Sequence, residues 1–340
     1  MHIRSIGWFR GLAILFVVMT HVDPTPLQNS SFGVYLQRFF GNGAFLFTLI
    51  SGYLFWHLRE RYSYVDFMAG KIKNVIVPYV VVLTPAIAIY AAIGKIDCGF
   101  SAIVREYLVG GGVLAPLWFI PMIVLIFLSA PAIVFSADRP WYPVLVLAAV
   151  FISLTSFRPY HHDDPIYMLF HLYGVFLLGV YLKQKEVFLR NNALIIALLS
   201  IPFVGLFLCL DVMQYREGLP FFWPLLKGKL ELNYGQIQKL FASLFFLALF
   251  FVLEKRNWAQ KGFYPLDVLA KYSFGIFFFH WYFYLLKNAM VKAGIIEKCY
   301  AGFMTFFIDF SLFTFLSLLV CKIAFQFFGE KARYLTGVRY

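Results

Sequence analysis

The chain has 340 residues, of which 61% are hydrophobic and only 14% charged, and its mean hydropathy is +0.77. A soluble domain carries about 25% charged residues, so a soluble fold is excluded and the composition is that of an all-α polytopic membrane protein. The net charge of +12 is assigned to loops beside apolar segments, where basic residues mark the cytoplasmic side, rather than to nucleic-acid binding.

Ten apolar segments are expected, at about 5–22, 40–58, 75–93, 113–135, 142–157, 166–182, 193–210, 238–253, 268–286 and 302–328. Those at 142–157 and 238–253 carry the weakest signal. Several fall short of the ~20 residues that cross a bilayer upright. The first segment has the basic start and short apolar core of a secretory signal. It is followed by Val22-Asp23-Pro24-Thr25-Pro26 and not by a small-residue cleavage pattern, so it reads as a retained helix. With the N-terminus placed in the cytoplasm, most of the 29 basic residues fall inside, and ten crossings bring the C-terminus back to the same side. Residues 1–340 read as one integral-membrane domain. The longest loop, about 211–237, is either a connector or a lid over an outward-facing pocket.

The first helix carries Arg10-Gly-Leu-Ala-Ile-Leu-Phe-Val-Val-Met-Thr-His21. Eleven positions at ~100° each return to within roughly 20° of the start, so Arg10 and His21 share one face about 16 Å apart along the axis. Taken alone, the pair is equally a snorkelling anchor with an interfacial histidine or a functional stripe. The second segment, Phe40-Gly-Asn-Gly-Ala-Phe-Leu-Phe-Thr-Leu-Ile-Ser-Gly-Tyr-Leu-Phe55, has small residues at Gly41, Gly43, Ala44, Ser51 and Gly52 that allow close helix approach. Lys71-Ile-Lys-Asn-Val-Ile-Val-Pro78 opens the third segment and Leu117-Trp118-Phe119 the fourth. Tyr272-Ser273-Phe274-Gly275-Ile276-Phe277-Phe278-Phe279-His280 brings a second histidine into the ninth.

On these residues the chain resembles the membrane-bound acyltransferase-3 family, the O-acetyltransferases of bacterial surface glycans. The likeness covers nearly the whole chain. Arg-x10-His at Arg10 and His21 is its most specific element; Ser51-Gly-Tyr-Leu-Phe55, Leu117-Trp118-Phe119 and the Ser273 to His280 stretch are weaker ones. One departure is that Lys71, Lys73 and Asn74 stand where the family often has an Arg-x-x-Arg pair; lysine keeps the charge and lacks the bidentate fork. The resemblance implies transfer of an acyl group, usually acetyl, from cytoplasmic acetyl-CoA or another acyl-CoA to a hydroxyl of an envelope or lipid-linked saccharide, at the cell inner membrane.

That implied function suits the residues. The phosphates of CoA call for cations on the cytoplasmic side, and Arg10, Arg59, Arg61, Lys71 and Lys73 fall there by topology. An imidazole is a suitable base near neutral pH, so His21 would take the acceptor proton or be acylated as a relay. His280, Ser273, Asp23 and Trp118 are expected on the acceptor side. His280 is also readable as a packed polar residue, and Asp23 reaches the His21 ring only if the helix ends before Pro24. Asp309 is expected to pair or to line a cavity, and His57 to lie at the surface. His161, His162, Asp163 and Asp164 are adjacent without spaced partners, which favours a solvated loop over a metal site. No metal is expected. Cys98, Cys209, Cys299 and Cys321 form no CxxC pair and read as small apolar residues, with one bridge among the first three left open. Besides lipids, the expected partners are the acyl-CoA and the saccharide; nothing in the sequence fixes an oligomeric state. The rival reading is a multi-pass transporter or exporter of a sugar or acyl carrier, which would pair broken helices between two halves.

Overall fold

The computed structural model describes residues 3–28, 30–61, 63–156, 164–217, 232–256, 263–296 and 302–338. Among them there are helices and no strands. The principal helices are α1 (Arg4–Thr20), α2 (Ser31–Phe40), α3 (Gly43–Leu58), α4 (Val77–Ala92), α5 (Phe119–Leu128), α6 (Ala130–Ala137), α7 (Tyr142–Thr155), α8 (Pro165–Gln184), α9 (Ala193–Glu217), α10 (Tyr234–Glu254), α11 (Tyr264–Lys292) and α12 (Gly302–Phe328). Each of the ten expected segments falls on one of these helices or on a pair of them.

The span count is a correction. By length and apolarity, six stretches qualify to cross a membrane, or seven if the pair α5–α6, bent by 54°, counts as one span. Ten were expected. The shortfall has local causes. α1 has 17 residues and α7 only 14, and α11 is diluted by Lys271, His280 and several Tyr and Trp residues. The second segment counts among the six, although α2 and α3 are interrupted at Gly41 and Asn42.

The bundle is built around α1. Trp8, Phe9, Ala13, Ile14, Phe16 and Val18 are buried around it, as befits a helix that is apolar on most of its circumference. Ser5 meets Glu254 and Phe9 meets Phe250, whereas Phe16 meets Phe246, so α10 runs antiparallel to α1. On another side Trp8 meets Phe263 and His21 meets His280, so α11 runs parallel to it. Glycines set the closest approaches. A Cβ on Gly11 would strike the Leu266 carbonyl of α11, and one on Gly52 the Phe176 carbonyl of α8. α9 lies at the periphery, where only 17% of its apolar window is buried.

Ion pairs tie the bundle together at the end where α1 begins. Arg190 donates to Glu186 at 2.7 Å and to Glu254 at 2.8 Å, Glu254 accepts from Ser5 Oγ at 2.9 Å, and Lys183 pairs with Glu186. Burial opposes the charge on Glu186, but its hydrogen bonds and charge pairing with Lys183 and Arg190 outweigh that and hold its carboxyl below the ordinary 4.5. A depressed carboxyl stabilises the fold above its unfolded value, and that contribution is lost as pH falls through the folded one. Thermal melts in detergent should therefore show stability falling as pH drops below about 4.5, with a smaller fall in Glu186→Gln than in the wild type.

Cys98 and Cys209 are free thiols, so no bridge joins them; Cys299 lies outside the described residues. His161, His162 and Asp163 also lie outside them, while Asp164 caps α8 by accepting from Ile166 N at 2.7 Å. Asp211 to Glu217 prolong α9 as helix, and residues 218–231 lie outside the described residues. His57 ends α3 and is half-buried.

Candidate active site

α1 ends at Thr20, and His21 caps it, its backbone N–H donating to Val18 O at 3.0 Å. The ring Nδ1 lies 2.8 Å from Val17 O. A carbonyl only accepts, so Nδ1 carries the hydrogen and Nε2 the lone pair. His280 on α11 is arranged in the same way. Its Nδ1 lies 2.9 Å from Ile276 O, which leaves a lone pair on Nε2, and that atom is 3.3 Å from His21 Nδ1. The hydrogen on His21 is thus shared between a carbonyl and the second imidazole. Trp281 meets the His21 ring edge to face at 5.5 Å. His280 is 1% exposed and His21 half-buried, so the His21 imidazole is the more accessible of the two.

His21 lines a cavity with about 570 Å³ of empty space, the open solvent at its mouth included. α1 contributes Val17 and Thr20, and the start of α3 contributes Gly43 and Ala44. Pro116, Trp118 and Phe119 close one wall, and Ser273, Phe274 and Phe277 of α11 another. The walls are mainly apolar. Ser273 Oγ donates to Ala270 O at 2.9 Å, and Thr20 Oγ1 lies 2.7 Å from Phe16 O and 3.1 Å from Phe40 O. Both hydroxyl hydrogens are therefore committed to carbonyls.

Arg10 does not line this cavity. Its guanidinium sits 5.4 Å above the ring of Phe274, so one aromatic ring separates the two. The other expected cations divide. Lys73 lies over the Tyr334 ring at 5.7 Å, close to Gly337, which approaches both Asn74 and Phe274; this group neighbours Arg10. Lys71 instead lies over Phe127 at 4.2 Å, Arg59 pairs with Asp138 at 2.8 Å over Trp56, and Arg61 is exposed. Residues Ile72–Ile76, which hold Lys73 and Asn74, form a π-helical turn, a distortion that places Asn74 Nδ2 on Gly70 O at 2.6 Å.

Asp23 is held by its own turn. It accepts from Thr25 N at 3.0 Å and from Thr25 Oγ1 at 2.6 Å, which caps the short helix Thr25–Gln28. Asp23 also lines a second, more polar pocket of about 380 Å³ with Tyr284, Lys287, Asn288, Thr305 and Asp309. Asp309 both pairs with Lys287 and lines this pocket. Tyr284 stacks on Trp281 at 4.5 Å, so an aromatic pair stands between His21 and the polar pocket. Among the described residues no three His, Cys, Asp or Glu side chains converge as metal ligands.

Three features escape sequence reasoning. Lys239 is 1% exposed and donates to Arg38 O at 3.3 Å, to Phe39 O and to Gln238 Oε1 at 2.7 Å. It sits at the boundary of a weak segment, where a lysine reads as a loop residue. His171, 2% exposed, is bonded to Gln236 in a buried polar network. Asn42 lines the cavity at the break between α2 and α3; the Gly-Asn-Gly sequence is a turn signal hidden inside an apolar run.

A helical bundle that crosses the membrane several times and encloses a largely apolar cavity beside a tautomer-fixed histidine defines a class, the multi-pass membrane proteins with a histidine-centred site. Within that class a family model described as "Acyltransferase domain" matches residues 3–325, and the chain belongs to this acyltransferase-3 family. No curated protein and no solved structure matches it.

Proposed function

We propose that this membrane acyltransferase moves an acyl group, in the ordinary case acetyl, from cytoplasmic acyl-CoA to a hydroxyl of an envelope or surface saccharide, with His21 as the base. The observation that carries the reading is His21 itself, with Nδ1 hydrogen-bonded to Val17 O and the residue lining a largely apolar cavity. Nε2 takes the proton of the acceptor hydroxyl as its oxygen attacks the thioester carbonyl. The tetrahedral intermediate then breaks its carbon–sulfur bond, and the departing thiolate recovers the proton from the imidazolium. The apolar cavity suits a pantetheine arm and acyl chain, and the polar pocket beyond the Trp281–Tyr284 pair suits a hydroxyl-rich acceptor. Asp23 belongs to that acceptor pocket, while Trp118 and Ser273 shape the cavity wall and His280 steadies the base. Arg10, with Lys73 nearby, is assigned to the donor, with Arg59, Arg61 and Lys71 as outlying cations that attract its phosphates.

The test is acyl transfer from labelled acetyl-CoA by the purified protein. In that assay Arg10→Gln should raise KM for acetyl-CoA about tenfold, the effect of losing one charged contact of ~1.4 kcal/mol, with a smaller change in kcat. An unaltered KM would remove Arg10 from the donor site.

A further inference from the structure

Asn42 is, among the described residues, the one non-glycine residue with positive φ (58°). Asparagine tolerates this left-handed conformation better than most residues, and such outliers gather at functional sites. Here the outlier is held from both sides. The carbonyl end of α2 is gripped by Lys239 at Arg38 and Phe39 and by Thr20 at Phe40. On the other side Gly43 presses against α1, where a Cβ would lie 2.7 Å from Val17 N. The break is thus a fixed part of the wall facing His21.

The cavity has few polar groups able to act on a reacting carbonyl. The Thr20 and Ser273 hydroxyls already donate to backbone carbonyls. Asn42 lines the same cavity, and among the described residues no hydrogen bond engages its side-chain amide. Its N–H donors therefore remain for a ligand. Acyl transfer from a thioester passes through a tetrahedral oxyanion, and an apolar cavity would leave that charge unsolvated unless a fixed donor met it.

We propose that Asn42 is a catalytic residue whose side-chain amide donates a hydrogen bond to the oxyanion formed on the acyl carbonyl. The inference rests on the acyl-transfer reading above. In the step, His21 Nε2 accepts the acceptor's hydroxyl proton, the new carbon–oxygen bond forms, and the carbonyl π pair moves onto oxygen opposite Asn42 Nδ2. Return of that pair expels the CoA thiolate, which takes the proton from His21. The amide gains and loses no proton.

Asn42→Gly tests this without forbidding the backbone, because glycine adopts positive φ freely. Asn42→Asp keeps the shape and replaces the donor with an acceptor, and serves if the glycine variant fails to fold. Both are compared with wild type and His21→Ala as full-length protein, using acetyl-CoA as the donor and saccharide esterification as the readout. The expected result is a kcat lower by about 10²-fold in each Asn42 variant, with KM for acetyl-CoA within about twofold, since the charge develops only in the transition state. A merely structural asparagine would instead lower the yield of folded protein or raise KM and leave kcat intact. Full kcat in either variant, beside an active wild type and an inactive His21→Ala, would overturn the role of Asn42 alone. An inactive wild type would overturn the acyl-transfer reading and this inference with it.

Discussion

Replacing His21 by alanine should lower acyl transfer by about 10³-fold, within the range a positioned general base supplies, while the protein still inserts and folds. The fold is expected to tolerate the change because His21 lies one residue beyond the end of α1 and is half-buried. Its ring bonds Val17 O and meets His280 and Trp281 at the cavity edge, outside the packed core around α1. His280→Ala should have a milder effect, about tenfold in kcat, because the Val17 carbonyl still fixes the tautomer when the second imidazole is gone. Steady-state rates of the two variants, with size-exclusion profiles in detergent, check both statements. Equal losses would mean that the two histidines act as a unit, with neither one merely supporting the other.

Gly43→Ala should be nearly as damaging, although it adds a single methyl group. A Cβ there would lie 2.7 Å from Val17 N, 2.9 Å from Phe16 C and 3.0 Å from Val17 Cα. All three are backbone atoms of α1, so no side chain can swing aside. The start of α3 must move off α1 just where Gly43 and Ala44 wall the cavity. A displacement of the order of 1 Å in a catalytic constellation costs about 10²-fold in rate, and that is the expected loss. Gly205→Ala is the control: it lies in α9 with nothing within 4 Å of its would-be Cβ. It should leave the rate unchanged and strengthen the helix by up to about 1 kcal/mol.

The contrast between these two glycines shows what the sequence reveals and what it hides. Apolar runs are local, so all ten helical segments could be read from the chain. The stripe of Arg10 and His21 depends only on helical geometry, and it was legible as well. The pairing of His21 with His280 was not, because the two are separated by 259 positions and meet only because α11 happens to lie parallel beside α1. Trp118 and Ser273 were legible as residues of interest, but their shared cavity was not. The cations fared differently again. Counting charges can send them to one end of the bundle but cannot place them laterally, which is why Lys73 ends near Arg10 while Arg59 pairs with Asp138. The break at Asn42 was obscured by hydrophobicity, since the run from Phe40 to Phe55 is apolar enough to read as one continuous helix. Lys239 was obscured by its neighbours, because Gln236, Gln238 and Lys239 together look like a solvated helix end and are in fact 0%, 1% and 1% exposed.

The decisive experiment places the purified protein in liposomes with labelled acetyl-CoA and envelope saccharides. The predicted result is a saccharide ester carrying the label, formed by the wild type and lost in His21→Ala. Movement of a solute across the liposome with no acylated product, or undiminished ester formation by His21→Ala, would contradict it.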